Sequence, residues 1–128
     1  MDIHITNFQG ESASHYLNNN SFFRDRNLQY GISEPSRGVL GFGSQAIDYD
    51  LDGDLDLAVT NGHIENSVTT RDQFKQPAQM FSNAGDRFKL AKVKDRSRYW
   101  SELHVGRGLA RLDWNRDGKP DLVITHQS

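Results

Sequence analysis

The chain has 128 residues, with 15 Lys+Arg against 17 Asp+Glu for a formal net charge of −2. That length fits one ordinary domain with a real core, in which folding hides roughly two-thirds of the surface an unfolded chain exposes. The lack of cysteine excludes disulfides and thiolate chemistry, no apolar run approaches the ~18–20 residues of a membrane span, and the near-neutral charge lacks the basic footprint of a nucleic-acid binder.

Met1-Asp2-Ile3-His4 has neither the basic start nor the apolar stretch of a signal peptide. Ser14–Asn18 is a short mixed run that ends in Asn before turn residues, which predicts a strand. Residues 30–40 are predicted as a connection. Gly43–Ile47 is predicted as a strand entering an acidic segment, Asp48–Asp56, of sequence DYDLDGDLD, which holds five of the 17 acids. Leu55, Leu57 and Val59 then alternate with Asp56, Ala58 and Thr60, the period of a strand. Residues 65–79 are polar, contain Pro77, and read as an insertion loop. Gln79–Asn83, Asn83-Ala84-Gly85-Asp86 and Arg87-Phe88-Lys89-Leu90 predict a hairpin. Residues 96–104 form another connection before a strand at Gly108–Leu112, a second acidic segment Asp113–Asp121 (DWNRDGKPD), and a last alternating strand.

The two acidic segments lie 65 residues apart and align without a gap: Asp48 with Asp113, Asp50 with Asn115, Asp52 with Asp117, Gly53 with Gly118, and Asp56 with Asp121. The correspondence extends to Gly41-x-Gly43 and Gly106-x-Gly108, Ile47 and Leu112, Leu57–Thr60 and Leu122–Thr125, and Tyr16-x-Asn18 and Phe81-x-Asn83. Phe22 and Phe88 match if one residue is inserted. Asp2–Asn7 matches Asp56–Asn61, so Asp2 stands where the last acid of a third loop would be. The chain therefore reads as repeat periods 2–55 and 56–120, with 121–128 beginning the next, and as either a piece of a longer array or a truncated relative of one. About four short antiparallel strands per period, with no convincing helical periodicity, predict an all-β fold of β-propeller-type blades.

Oxygen-bearing positions 1, 3, 5, 7 and 9 around a glycine at position 6 suit a hard cation, and calcium takes six to eight oxygens. In the first loop the side chains of Asp48, Asp50, Asp52 and Asp56 and the carbonyl of Asp54 are the predicted ligands. In the second they are Asp113, Asn115, Asp117 and Asp121, with the carbonyl of Lys119. Neutral Asn115 predicts the weaker site. An EF-hand needs a bidentate Glu at position 12 and flanking helices, whereas Val59 and Ile124 stand at that position between strands.

The segments GFGSQAIDYDLDGDLDLAVTNGH, QMFSNAGDRF and HVGRGLARLDWNRDGKPDLVITH resemble FG-GAP/VCBS repeats, the calcium-loop blade unit also seen in integrin α-chain propellers. The closest resemblance is to a bacterial subgroup that often carries an ASPIC/UnbV domain, itself absent here. The resemblance covers Asp2 to His126. It implies a β-propeller with two Ca²⁺ sites in this chain, an extracellular, periplasmic or cell-surface setting, and no single molecular activity.

No HxH, HExxH, GxSxG, P-loop or GxGxxG pattern is present, so no catalytic residue is assigned. The expectation is a structural or interaction module rather than an enzyme, with a protein or carbohydrate partner or self-association through open blade edges. The alternative is part of a propeller-based enzyme whose active site lies largely outside this chain. His63 and His126 are expected at blade edges near the metal end. Trp114, matching Tyr49, is expected to pack within a blade. Tyr99 and Trp100 are expected to anchor a loop, and Arg87, Lys89, Lys92 and Lys94 to form a solvated strand face.

Overall fold

A computed structural model describes residues 1–66, 73–94 and 98–128. Parts of the two expected connections, residues 67–72 and 96–97, lie outside the described residues. The fold is all-β and antiparallel, the arrangement of a propeller fragment. No described helix is long and apolar enough to cross a membrane.

Three sheets carry the repeat. The first contains β1 (Ile3–Ile5), β2 (Ser14–Asn18) and β3 (Phe23–Asp25), in that order. The second is a complete four-stranded blade of β4 (Gly41–Ile47), β5 (Asp56–Asn61), β7 (Gln79–Asn83) and β8 (Phe88–Leu90). The third pairs β10 (Gly106–Leu112) with β11 (Asp121–His126). By equivalence, the first sheet holds strands two to four of a blade and the third holds strands one and two. Blades are thus offset from sequence periods: β4 precedes the boundary at Asp56 yet pairs with β5.

The central blade is covered on both faces, which is why every residue of β5 is buried. Ala13 and Ile32 from the first unit meet Leu57, Val59, Phe81 and Phe88 on one face. On the other, Ile47, Ala58 and Met80 meet Tyr49, Val93, Trp100, Leu109 and Leu122. The alternation in β5 therefore distinguishes two neighbours rather than core from solvent.

The glycines of the G-x-G segments allow close approach between blades. They lie within strands bent by a register shift between Gly41 and Ser44, and again between Gly106 and Leu109. A Cβ on Gly43 would stand 2.6 Å from the Leu109 amide nitrogen and 2.8 Å from the Arg107 carbonyl oxygen. Threonines close the same junction. Thr60, 1% exposed, accepts the Gly43 N–H at 3.1 Å through Oγ1 and donates to the Arg107 carbonyl at 3.1 Å. Thr6, its counterpart, donates to the Phe42 carbonyl at 3.0 Å.

Several expectations change. Residues 30–40 contain a single helical turn, α1 (Ser33–Ser36), with buried Ser36 accepting the Ala13 N–H at 2.9 Å. The expected loop 65–79 contains β6 (Gln76–Pro77), which pairs with β9 (Leu103–His104) from the expected connection 96–104. The difference between the 54- and 65-residue periods falls in the connection between second and third blade strands, where β6 lies. Phe23, not Phe22, is the counterpart of Phe88: Asn18 faces Phe23 as Asn83 faces Phe88, so no insertion is needed. The β7–β8 hairpin forms as expected, with Gly85 at φ +84° and its N–H donated to Asn83 Oδ1 at 2.9 Å. Arg87, Lys89, Lys92 and Lys94 are exposed.

Candidate metal centre

Each acidic loop joins the first strand of a blade to the second, β4 to β5 and β10 to β11. The two loops share one hydrogen-bond frame. Asp48 accepts the N–H of Asp52 at 3.1 Å through Oδ1 and that of Gly53 at 3.1 Å through Oδ2. Asp113 does the same for Asp117 at 3.1 Å and Gly118 at 3.0 Å. Asp52 Oδ1 takes the Asp54 N–H at 2.9 Å, as Asp117 Oδ1 takes that of Lys119 at 2.9 Å. At position nine, Asp56 Oδ2 accepts the Tyr49 N–H at 3.0 Å and Asp121 Oδ2 the Trp114 N–H at 2.8 Å. The sixth residues Gly53 and Gly118 have φ +95° and +81°. Position four is left-handed as well, at Leu51 (φ +62°) and Arg116 (φ +60°), a strain for side-chain-bearing residues.

The loops differ in what they bring together. In the first, one carboxylate oxygen each from Asp48, Asp50 and Asp56 lie within 4.8 Å of one another. Among the described residues, no other group of three acids or histidines is as tight, so Asp113, Asp117 and Asp121 do not converge in this way. Asp52 and Asp54 stand outside the first trio. Asp56 is 1% exposed, and its Oδ1 also accepts the Asn83 N–H from β7 at 2.8 Å, tying the loop to the third strand.

Electrostatics follow the same division. Desolvation, then the charges of Asp52 and Asp56, push the exposed Asp50 carboxyl above its ordinary range. In the second loop the Lys119 N–H and the Asn115 amide, which donates to Asp117 Oδ2 at 3.0 Å, hold Asp117 below its ordinary range. Asn115 thus removes one charge from the loop and stabilises the ionised form of its neighbour Asp117 through a hydrogen bond. The first loop is left with an uncompensated concentration of negative charge, the condition that a divalent cation relieves.

The histidines lie elsewhere. β5 runs away from the first loop, so His63, just beyond its end, sits roughly 20 Å from the loop rather than beside it. His126 ends β11 in the same way. Both are at the edge opposite the acids, correcting the expected placement. His63 is buried, and its Nδ1 lies 3.2 Å from the Glu65 nitrogen. Tyr99 stacks on His104 at 4.2 Å between centroids, and its hydroxyl lies 3.0 Å from His126 Nε2. Trp100 packs against the central core, so both aromatics anchor the chain before β9. Trp114 is 77% exposed and does not pack within a blade. Tyr49, its counterpart, is covered by Leu109 and Leu122 from β10 and β11.

Sequence reasoning missed the bridging role of Thr60 and the left-handed fourth loop position. The recurrence of Thr6, Thr60 and Thr125 at one strand position was the available signal for the former. A scan against models of known protein families finds no match, and a search of curated proteins finds none either.

Proposed function

We propose that this chain is a calcium-binding β-propeller repeat module with a structural or interaction role. The observation that carries the reading is the convergence of Asp48, Asp50 and Asp56 oxygens within 4.8 Å, on a frame of backbone hydrogen bonds that the second loop reproduces. In this reading Asp48, Asp50, Asp52 and Asp56 with the Asp54 carbonyl hold one ion. Asp113, Asn115, Asp117 and Asp121 with the Lys119 carbonyl hold a second, more weakly. Two ions would turn the net charge from −2 to about +2. Such exposed, all-oxygen loops suit the roughly 10⁻⁴–10⁻³ M affinities of extracellular modules. That range agrees with the extracellular, periplasmic or cell-surface setting implied by the resemblance to FG-GAP/VCBS repeats.

The ions rigidify the turns that hold β4 to β5 and β10 to β11, presenting blade surfaces to a protein or carbohydrate partner. Blade edges offer a route to self-association. Calorimetric titration with Ca²⁺ and thermal unfolding with and without EDTA test the reading. Calcium a hundredfold above its Kd should stabilise the fold by about 2.7 kcal/mol per site. A monomer whose melting ignores both calcium and EDTA would sink it.

A further inference from the structure

The first blade carries a pair of imidazoles where the central blade carries an apolar pair. His4 on β1 faces His15 on β2 in register, and their counterparts Ala58 and Met80 face each other on β5 and β7. Ala58 and Met80 are plain core. His4 and His15 have ring centroids 5.9 Å apart. Both nitrogens of His4 and Nδ1 of His15 are buried with no hydrogen-bond partner, and His15 is only 8% exposed. The pair lines a cleft of about 570 Å³ between the first and central blades, together with Asp2, Tyr30 and Phe88.

A hydrophobic pair fills this position in the same fold, so packing alone does not call for two imidazoles. Buried nitrogens without partners are groups that want a ligand. The second histidine cluster makes the contrast: His104 Nε2 lies 3.0 Å from the Tyr99 carbonyl oxygen, and His126 Nε2 lies 3.0 Å from the Tyr99 hydroxyl. We propose that His4 and His15 form a binding site for a divalent transition cation of the zinc class, separate from the acidic loops. With nitrogens about 2.0–2.1 Å from zinc, imidazoles sharing one ion have centroids roughly 5–6 Å apart. This pair meets that spacing, as do His104 and His126 at 5.1 Å, so the unpartnered nitrogens rather than the spacing mark the site. Desolvation lowers the proton affinity of both rings, so at neutral pH they offer the unprotonated lone pairs that a metal needs. Asp2 and Asp25 stand near enough to His15 to favour positive charge there.

The test is titration of Zn²⁺ into the full chain with Ca²⁺ in excess, followed by calorimetry and by NMR of the histidine rings. One submillimolar Zn²⁺ is expected, shifting the His4 and His15 resonances and leaving those of His104 and His126 in place. His4→Ala or His15→Met should each weaken binding at least about tenfold. The double variant, which copies the Ala58–Met80 pair, should abolish it while leaving the calcium response intact. Failure of the wild-type chain to bind Zn²⁺, or shifts confined to other histidines, would overturn the proposal whether or not the variants fold. Unchanged affinity in a folded double variant would do the same.

Discussion

Arg107 lies over the ring of Phe42, its guanidinium carbon 4.2 Å from the ring centroid, and the two residues occupy the same position in successive repeats. Each stands between the glycines of a G-x-G segment. The Arg107 fork also donates to the Gly62 carbonyl at 3.2 Å, to the His63 carbonyl at 2.9 Å and to the Gln127 side chain. One side chain thus joins the first strand of the third sheet to the first strand and the far end of the central blade.

Arg107→Ala should destabilise the chain by about 1–3 kcal/mol, combining loss of the ring contact with two unpaired carbonyls. Arg107→Lys should recover little of this, because an ammonium lacks the planar fork. Urea unfolding midpoints of the three proteins measure the difference.

Asp56 and Asp50 should separate folding from metal binding. Asp56→Ala strips partners from the Tyr49 and Asn83 amides and should lose about 2–4 kcal/mol even in EDTA. Exposed Asp50 accepts only the Asp52 N–H within its own loop, so Asp50→Ala should cost much less than Asp56→Ala in EDTA and should lose the stabilisation that calcium adds. Thermal unfolding with and without EDTA distinguishes the two patterns.

Asn115→Asp should raise the calcium affinity of the second loop by restoring the carboxylate found at Asp50. The same change removes the amide donor to Asp117, so stability without calcium should fall slightly. Calorimetric titration of the variant should bring the two affinities closer together.

Leu51 has a left-handed backbone and a side chain 57% exposed. Leu51→Gly should stabilise the fold by about 0.5–1 kcal/mol, since strain is relieved with little lost burial. Equilibrium unfolding in EDTA measures this without interference from the ion.

Burial, and then the neighbouring His15, lower His4 from 6.5 to about 4. Above pH 6.5 the folded and unfolded chains both hold the ring neutral, and stability does not depend on it. Between pH 6.5 and about 4 the unfolded chain takes up a proton that the folded chain refuses, so stability falls as the pH falls. The loss approaches roughly 3 kcal/mol and levels off below about pH 4. Urea midpoints in EDTA across this range should show the slope, and His4→Ala should flatten it, with a residual contribution from His15.

The all-β blades, the paired acidic loops and the β7–β8 hairpin were legible because each rests on local chemistry: alternation, turn residues and a gap-free repeat. The helical turn at Ser33–Ser36 was not, since four residues carry no periodicity and its buried serine bonds to distant Ala13. The β6–β9 pair escaped because two-residue strands are defined by their partners alone. Trp114 and Tyr49 are matched in sequence but not in exposure, because burial belongs to the neighbouring blade rather than to the residue. Within the loops, the positions of the acids were readable, but the tighter convergence of Asp48, Asp50 and Asp56 depends on how each loop closes. The left-handed fourth position was hidden because Leu51 and Arg116 are not residues that announce it.

The junction made by Thr6 and Thr60 has a consequence for how such an array can vary. Each hydroxyl donates to a main-chain carbonyl, that of Phe42 in one case and Arg107 in the other. A latch that reads only backbone is indifferent to the side chain it passes. The residue between the glycines can therefore change from aromatic to cationic, and so recolour the surface at each seam, while the spacing of the blades stays the same.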